Sequence, residues 1–134
     1  MENNGSEQDK RYKLEDFELY QTAREFRKMV YEVLKVLPRE EKHNLASQMR
    51  RAAVSISNNI AEGHGRWHHQ ENIQFCRISR GSVEEIIDDI NVCIDEGYCP
   101  GFNLMHLKED GYDLIKRING YIAYLKKNQR MASK

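Results

Sequence analysis

Histidines form the densest group of potential metal ligands in this sequence. His64, His68 and His69 lie within HGRWHH, and the spacing of the first two could place both imidazoles one helical turn apart. Glycines flank His64 and predict a loop, and no cysteine or carboxylate pair converges there by spacing. A solvated loop, or a pH-sensitive phosphate contact shared with Arg66 and Trp67, explains the cluster better. We therefore predict no metal site.

Two acidic pairs, Glu84–Glu85 and Asp88–Asp89, are the other arrangement that could do chemistry. Paired carboxylates can serve general acid–base or metal-assisted reactions. A solvated helix face accounts for them more simply, and the sequence contains no GxSxG, HExxH or phosphate-binding glycine loop after a strand. We predict a protein that is not an enzyme and holds no cofactor.

Cysteine usage and hydropathy indicate the compartment. Cys76, Cys93 and Cys99 are odd in number and lack CxxC spacing, which is typical of reduced thiols in the cytoplasm. Apolar runs are too short to span a bilayer, and the polar N-terminus lacks the apolar stretch of a secretory signal. We expect a cytoplasmic protein without a membrane partner.

Apolar residues recur every three or four positions through most of the 134 residues, and this period predicts amphipathic helices. We predict helices over Asp16–Leu37, Glu40–Glu62, His69–Asp95 and Asn103–Lys127. Pro38 ends the first, and glycines follow the second and third. The last keeps a seven-residue repeat, which favours left-handed bundle packing.

These segments predict an all-α fold, an up-down-up-down antiparallel four-helix bundle, because short loops make consecutive helices antiparallel. We expect the bundle over 16–127, a flexible N-terminal arm over 1–15 and a basic C-terminal tail over 128–134. The predicted core positions are Leu19, Ala23, Phe26, Val30, Val33, Leu37, Leu45, Met49, Ala53, Ile56, Ile60, Cys76, Ser79, Val83, Ile86, Ile90, Cys93, Leu104, Leu107, Gly111, Leu114, Ile118, Tyr121 and Leu125.

Formal net charge is zero, yet the charges are segregated. Basic residues dominate 42–83, acidic residues dominate 84–113, and no acidic residue follows position 113. This pattern could present a basic patch to nucleic acid, or let the acidic surface of one copy meet the basic surface of another. The candidate nucleic-acid contacts are Arg50, Arg51, Arg66, Arg77, Lys126, Lys127 and Arg130.

The first helix carries a second stripe, away from its core face, in which aromatic and basic residues alternate. Such residues can stack on bases and neutralise phosphates, or the rings can pack at a helix or subunit boundary. The stripe comprises Phe17, Tyr20, Arg24, Arg27, Lys28, Tyr31 and Lys35.

The back of the second helix is unusually small-sided. Arg51, Ser55, Asn58 and Glu62 line the face opposite the core, with Ala52, Val54, Ser57 and Ala61 around them. A helix that only faces water normally carries long charged side chains there. We expect this surface to pack against something, and another copy of the chain is the simplest candidate.

In the third helix, Arg80 lies at the edge of the apolar face and needs a partner. Glu84 one turn away, or Glu62 across the bundle, could pair with it, and a phosphate contact is the alternative. Gly81 is costly inside a helix, so we expect it to permit a close contact.

The stretch QMRRAAVSISNNIAEGHGR at 48–66, followed by FCRISRGSVEEI at 75–86, resembles the bacterial four-helix-bundle family encoded in intervening sequences of the large-subunit ribosomal RNA gene. The resemblance covers about Phe17 to Leu125 and departs at Ser57, where the family pattern usually has proline. It implies a ring-like homopentamer, and the same fold is used by retroelement accessory proteins that bind a reverse transcriptase and nucleic acid. The residues that match the family pattern are Arg51, Ser55, Asn59, Glu62, Arg80, Ser82 and Glu85.

Two functional hypotheses follow. The first is a homo-oligomeric accessory protein that binds RNA or DNA through its basic surface, supporting a reverse transcriptase or associated with a ribosomal RNA intervening sequence. The second is an interaction scaffold that docks an enzyme and binds no nucleic acid itself, which the neutral net charge favours.

Overall fold

Four α-helices make up most of the protein in the computed structural model, which describes residues 13–66 and 68–132, with side chains as far as Gln129. Helix α1 is Glu18–Leu34, α2 is Leu45–His64, α3 is His69–Glu96 and α4 is Leu104–Ala132. Short 3-10 turns at Leu14–Asp16 and Arg39–Glu41 precede α1 and α2. No β-strand occurs in these ranges, so the predicted all-α class is confirmed.

The ends of α1, α2 and α4 differ from the prediction. Helix α1 stops at Leu34, three residues early, because Pro38 excludes helical geometry from the residue before it and the chain tightens into 3-10-type bonds. The 3-10 turn Arg39–Glu41 then delays the start of α2 to Leu45. Helix α4 continues to Ala132 and so takes in most of the tail predicted to begin at 128. Residues 1–12 of the predicted arm lie outside the described residues.

One hydrophobic core lies between the four helices, as the apolar period predicts. Every predicted core position is buried except Leu37 and Tyr121, which are half-buried against the cluster. The three cysteines are buried free thiols, and burial raises the pKa of Cys76 to about 11. They therefore act as small core side chains, not as reactive nucleophiles. No described helix is both long and apolar enough to cross a membrane.

Where two neighbouring helices touch, the early part of one lies beside the late part of the other. Between α2 and α3 the partners are Gly63 with Asn72, Ile56 with Ser79, and Ser55 with Ser82. Between α3 and α4 they are Asn72 with Tyr121, Arg80 with Asn119, and Asn91 with Lys108. Helix α1 meets α4 through Phe17 with Tyr121 and Phe26 with Gly111.

Glycines allow close approach at two positions, and neither is Gly81. A Cβ on Gly63 would clash with the Asn72 side chain and lie 3.2 Å from the Asn72 carbonyl oxygen. A Cβ on Gly111 would lie 3.0 Å from Ile87 Cγ1. Gly81 is exposed with nothing within 4 Å of such a Cβ, so no described residue of the chain makes the close contact expected there.

Asp89 of α3 is buried, whereas the sequence predicted that it lies on a solvated acidic face. The prediction is wrong at this position. Only 4% of Asp89 is exposed, and its Oδ2 has no hydrogen-bond partner among the described residues. Burial, and secondarily the charges of Glu85 and Asp88, raises its pKa from 3.8 to about 6. The acidic face is therefore wet at Glu84, Glu85 and Asp88 only.

Gly63→Ala should lower the free energy of unfolding by about 1–3 kcal/mol, because the added methyl overlaps the side-chain oxygen of Asn72, which is buried and hydrogen-bonded to Tyr121. The matched control, Gly81→Ala, should raise it by up to about 1 kcal/mol through helix propensity alone. Urea denaturation of both variants measures this difference. A Gly63→Ala protein at least as stable as the parent would contradict the close packing of α2 on α3.

Asp89→Asn should raise the free energy of unfolding at neutral pH by about 1–2 kcal/mol, because the folded protein no longer buries a charge. Folding raises the pKa of Asp89, so protonated Asp89 contributes to the stability of the folded protein. This contribution is complete below about pH 4 and is lost as pH rises through about 6. The variant should lack this decline. Denaturation at a series of pH values measures it, with Asp88→Asn, on the exposed neighbour, as the control that should keep most of the decline.

Candidate nucleic-acid interface

Three of the residues that match the family pattern bond to one another inside the chain. Asn59 Nδ2 donates to the Ser55 carbonyl oxygen at 2.8 Å and to Ser55 Oγ at 3.0 Å. Ser82 Oγ, on α3, donates to the same Ser55 Oγ at 2.8 Å. One helical turn earlier in α3, Ser79 Oγ donates to the Ile56 carbonyl oxygen at 2.8 Å. These small hydroxyl side chains join α2 to α3 at short range.

Other small residues of α2 are also covered by the same chain. Ser57 is buried and accepts a hydrogen bond from Arg27 Nη1 of α1 at 2.7 Å, and Ala52 is buried as well. Neighbouring helices therefore account for part of the small-sided surface that suggested a second copy. What remains exposed of that small-sided face is the stripe of Arg51, Asn58 and Glu62.

The remaining residues that match the family pattern point outward or link other helices. Arg51 Nη1 donates to Ser47 Oγ at 2.8 Å, and Glu62 pairs with Arg66 at 3.1 Å. Arg80 Nη1 donates to Asn119 Oδ1 on α4 at 2.6 Å. The predicted pairing of Arg80 with Glu84 or Glu62 is therefore wrong, because a neutral amide from α4 occupies the site.

The aromatic rings of the α1 stripe are engaged within the chain. The Phe17 ring stacks on His64, with centroids 5.1 Å apart, and meets Tyr121 at 5.0 Å. The Arg50 guanidinium lies 4.7 Å from the Tyr31 ring centroid, and Arg24 lies 5.7 Å from that of Tyr20. This arrangement favours the packing interpretation of the stripe over base stacking.

The candidate cations do not form one compact patch on a single chain. Arg50 and Arg51 lie in the first turns of α2, roughly 20 Å along the helix axis from its last residue. Arg66 lies beyond that end, and its guanidinium is 5.1 Å from the Phe75 ring centroid. Arg77 lies two residues after Phe75 in α3. Lys126 and Lys127 are exposed on α4 just after Tyr121, which bonds to Asn72 near the same end.

These cations differ in whether a carboxylate of the same chain already pairs with them. Arg66 is ion-paired with Glu62, whereas Arg50, Arg51, Arg77, Lys126 and Lys127 form no ion pair with any described carboxylate. The side chain of Arg130 lies outside the described residues. The sequence does not distinguish paired from available cations, because the i, i+4 spacing of Glu62 and Arg66 permits a pair without requiring it.

The histidines are divided between helices instead of sharing a loop. His64 ends α2, His69 begins α3, and His68 lies between them, so the loop predicted for all three is correct only for His68. His64 is occupied by its stack on Phe17. Among the described residues, no group of three or more histidine, cysteine or acidic side chains could hold a metal ion. Trp67 lies outside the described residues.

Comparison with known proteins identifies the chain by family. No match is found among curated proteins. The model of the 23S rRNA-intervening sequence protein family matches residues 15–120, a span that reaches from the turn before α1 well into α4. The matched span includes the α2 and α3 residues whose hydroxyl contacts join those helices. The chain therefore belongs to the 23S rRNA-intervening sequence protein family.

Proposed function

We propose that this protein is a non-catalytic, homo-oligomeric accessory protein that binds nucleic acid through its exposed basic residues. The observation that carries the proposal is that Arg50, Arg51, Arg77, Lys126 and Lys127 are exposed and have no carboxylate partner among the described residues. An exposed cation without a partner keeps its full capacity to replace counterions on a phosphate backbone. The family description, which names a 23S rRNA intervening sequence, supports RNA as one such backbone.

Contacts of this type read charge and spacing, not base identity. The aromatic rings of the α1 stripe, Phe17, Tyr20 and Tyr31, already contact other side chains of the chain. Arginine and lysine on helical surfaces then contact phosphates, which fixes register without sequence readout. We therefore propose binding with strong salt dependence and little preference for sequence.

Assembly is the second part of the proposal. The contacts between early and late parts of consecutive helices support an up-down-up-down bundle, and we propose that such bundles assemble as a ring-like homopentamer. Arg51 in the exposed stripe of α2 and the wet carboxylates Glu84, Glu85 and Asp88 on α3 have opposite charge. We propose that they meet between neighbouring copies.

The setting of this activity is proposed by analogy. A ring of such bundles in the cytoplasm could support a reverse transcriptase, as proteins of this fold do in retroelements, or act on the RNA of an intervening sequence. Fold alone does not decide between these roles.

A protein scaffold that binds no nucleic acid is the second candidate, and exposed apolar side chains favour it. Met105 is 54% exposed and Tyr112, two turns later on α4, is 50% exposed. Apolar side chains that share a helix face in water mark a surface for a protein partner. A pull-down that recovers a partner after nuclease treatment supports this candidate.

Replacing Arg77, Lys126 and Lys127 together with alanine should weaken binding to single-stranded RNA. The slope of log affinity against log salt should fall in magnitude by about 2, since each lost phosphate contact removes about 0.7. Fluorescence anisotropy over a salt series measures the slope. The control Lys28→Ala should leave it unchanged, because Lys28 is already paired with Glu25 at 3.3 Å. Absence of binding at low salt would remove the nucleic-acid proposal.

Arg51→Glu should break the oligomer while leaving the helical content of the chain intact. Among the described residues Arg51 donates only to Ser47, so its loss costs the monomer little. Light scattering measures mass and circular dichroism measures helix content. Lys116→Glu, an equal charge reversal at an exposed position on α4, should leave the oligomer in place. An Arg51→Glu protein of unchanged mass contradicts the proposed contact.

A further inference from the structure

A cavity of about 530 Å³ opens where α1 turns into α2. Among the described residues, Lys35, Arg39, Lys42, His43 and Arg50 line it and no carboxylate does. Of these five, Arg50 is a predicted nucleic-acid contact and Lys35 belongs to the α1 stripe. The 3-10 turn Arg39–Glu41 and the tightened end of α1 bring the others beside them.

Glu41, one of the two carboxylates of this turn, is engaged outside the cavity. Glu41 accepts a hydrogen bond from the Tyr98 hydroxyl at 2.8 Å, across the connection between α3 and α4. That bond raises the pKa of Tyr98 to about 12, because the charged acceptor stabilises the protonated phenol. Glu41 Oε1 also accepts from Asn44 Nδ2 at 3.3 Å and from the Leu45 backbone N–H at 3.4 Å. Glu41 therefore uses its hydrogen-bonding capacity outside the cavity, and neither Glu40 nor Glu41 is among the residues that line it.

The cations keep their charge available to a ligand. Arg50 is held over the Tyr31 ring and makes no ion pair with a described residue, so its N–H donors remain free. Arg39 and Lys42 are exposed and likewise unpaired within the described part of the chain. Lys35 is shared, because its Nζ lies 2.7 Å from Glu32 Oε2. Three permanent cations without partners suit an anion of more than one charge.

The remaining walls suit an anion that carries an apolar ring. Leu34, Leu37, Pro38 and Ala46 supply an apolar surface beneath the cations, and Ser47 adds a hydroxyl. Ala46 and Ser47 belong to the first turn of α2, where the helix dipole adds partial positive charge. A bare inorganic ion would leave the apolar wall unused, whereas the volume accommodates a nucleotide.

We propose that this cavity binds the 5′-phosphate of a nucleotide, with its sugar or base against the apolar wall. The nucleotide is either free or the end of a strand, since the two share this chemistry. The strand-end form adds to the proposed nucleic-acid binding and rests on it, whereas binding of a free nucleotide does not. Arg39, Lys42 and Arg50 contact the phosphate.

The experiment compares two single-stranded RNAs of one sequence, one with a 5′-phosphate and one with a 5′-hydroxyl, and separately titrates adenosine 5′-monophosphate. The intact protein should prefer the phosphorylated strand roughly tenfold, the scale of one or two charge-assisted hydrogen bonds. Arg39→Ala combined with Lys42→Ala should abolish that preference. Lys116→Ala combined with Arg117→Ala, an equal charge loss on exposed α4 positions, should keep it.

Each outcome decides the proposal separately from strand binding. Monophosphate binding that Arg39→Ala with Lys42→Ala removes supports the cavity even if neither strand binds. Monophosphate that binds and displaces the phosphorylated strand assigns both forms to the cavity. Equal binding of the two strands without monophosphate binding overturns the cavity and leaves strand binding standing. Loss of oligomer mass in the double variant, with no phosphate preference in the parent, overturns it in favour of a second copy as the occupant.

Discussion

The close approach of α2 to α3 is the constraint on which the rest of this protein depends. Gly63 leaves no room for a methyl group against Asn72, and Ser79 of α3 bonds directly to a carbonyl oxygen of α2 at 2.8 Å. A hydroxyl that reaches the backbone of the next helix requires small side chains around it on both helices. The small-residue pattern of α2 is therefore first a packing device inside one chain.

The packing of α2 on its neighbours determines which of its side chains face outward. With Ser55, Ser57 and Asn59 bonded within the chain, α2 presents outward chiefly Arg51, Asn58 and Glu62. Of the two charges in this stripe, Glu62 is neutralised by Arg66, whereas Arg51 is held by a neutral hydroxyl. Rigid helices thus hold unpaired cations at fixed positions, and this geometry lets a chain of zero net charge offer local positive surfaces to a polyanion.

The sequence predicted the helices and their core faces well, because burial of one face imposes a period that each helix carries in its own residues. It predicted contacts between helices poorly. Asn119 takes Arg80 from across the bundle, and spacing within α3 cannot indicate a partner on α4. Asp89 is buried because the packed face of α3 is wider than its apolar stripe. The cavity could not be predicted from the sequence, because its cations come from the end of α1, a 3-10 turn and the start of α2. No single helical period relates these three segments.

The segregation of charge along the sequence also has a different meaning in three dimensions. The basic cavity lies near the point where Tyr98, within the acidic block 84–113 and just after α3, meets Glu41, before α2. Glu41 belongs to the same 3-10 turn as Arg39, which lines the cavity, and a carboxylate close to the lining cations would reduce their positive charge. The Tyr98 hydroxyl instead binds Glu41 from the α3–α4 connection. A neutral donor thus occupies an acidic side chain of the turn that supplies the cations, which favours an anion site on a chain of zero net charge.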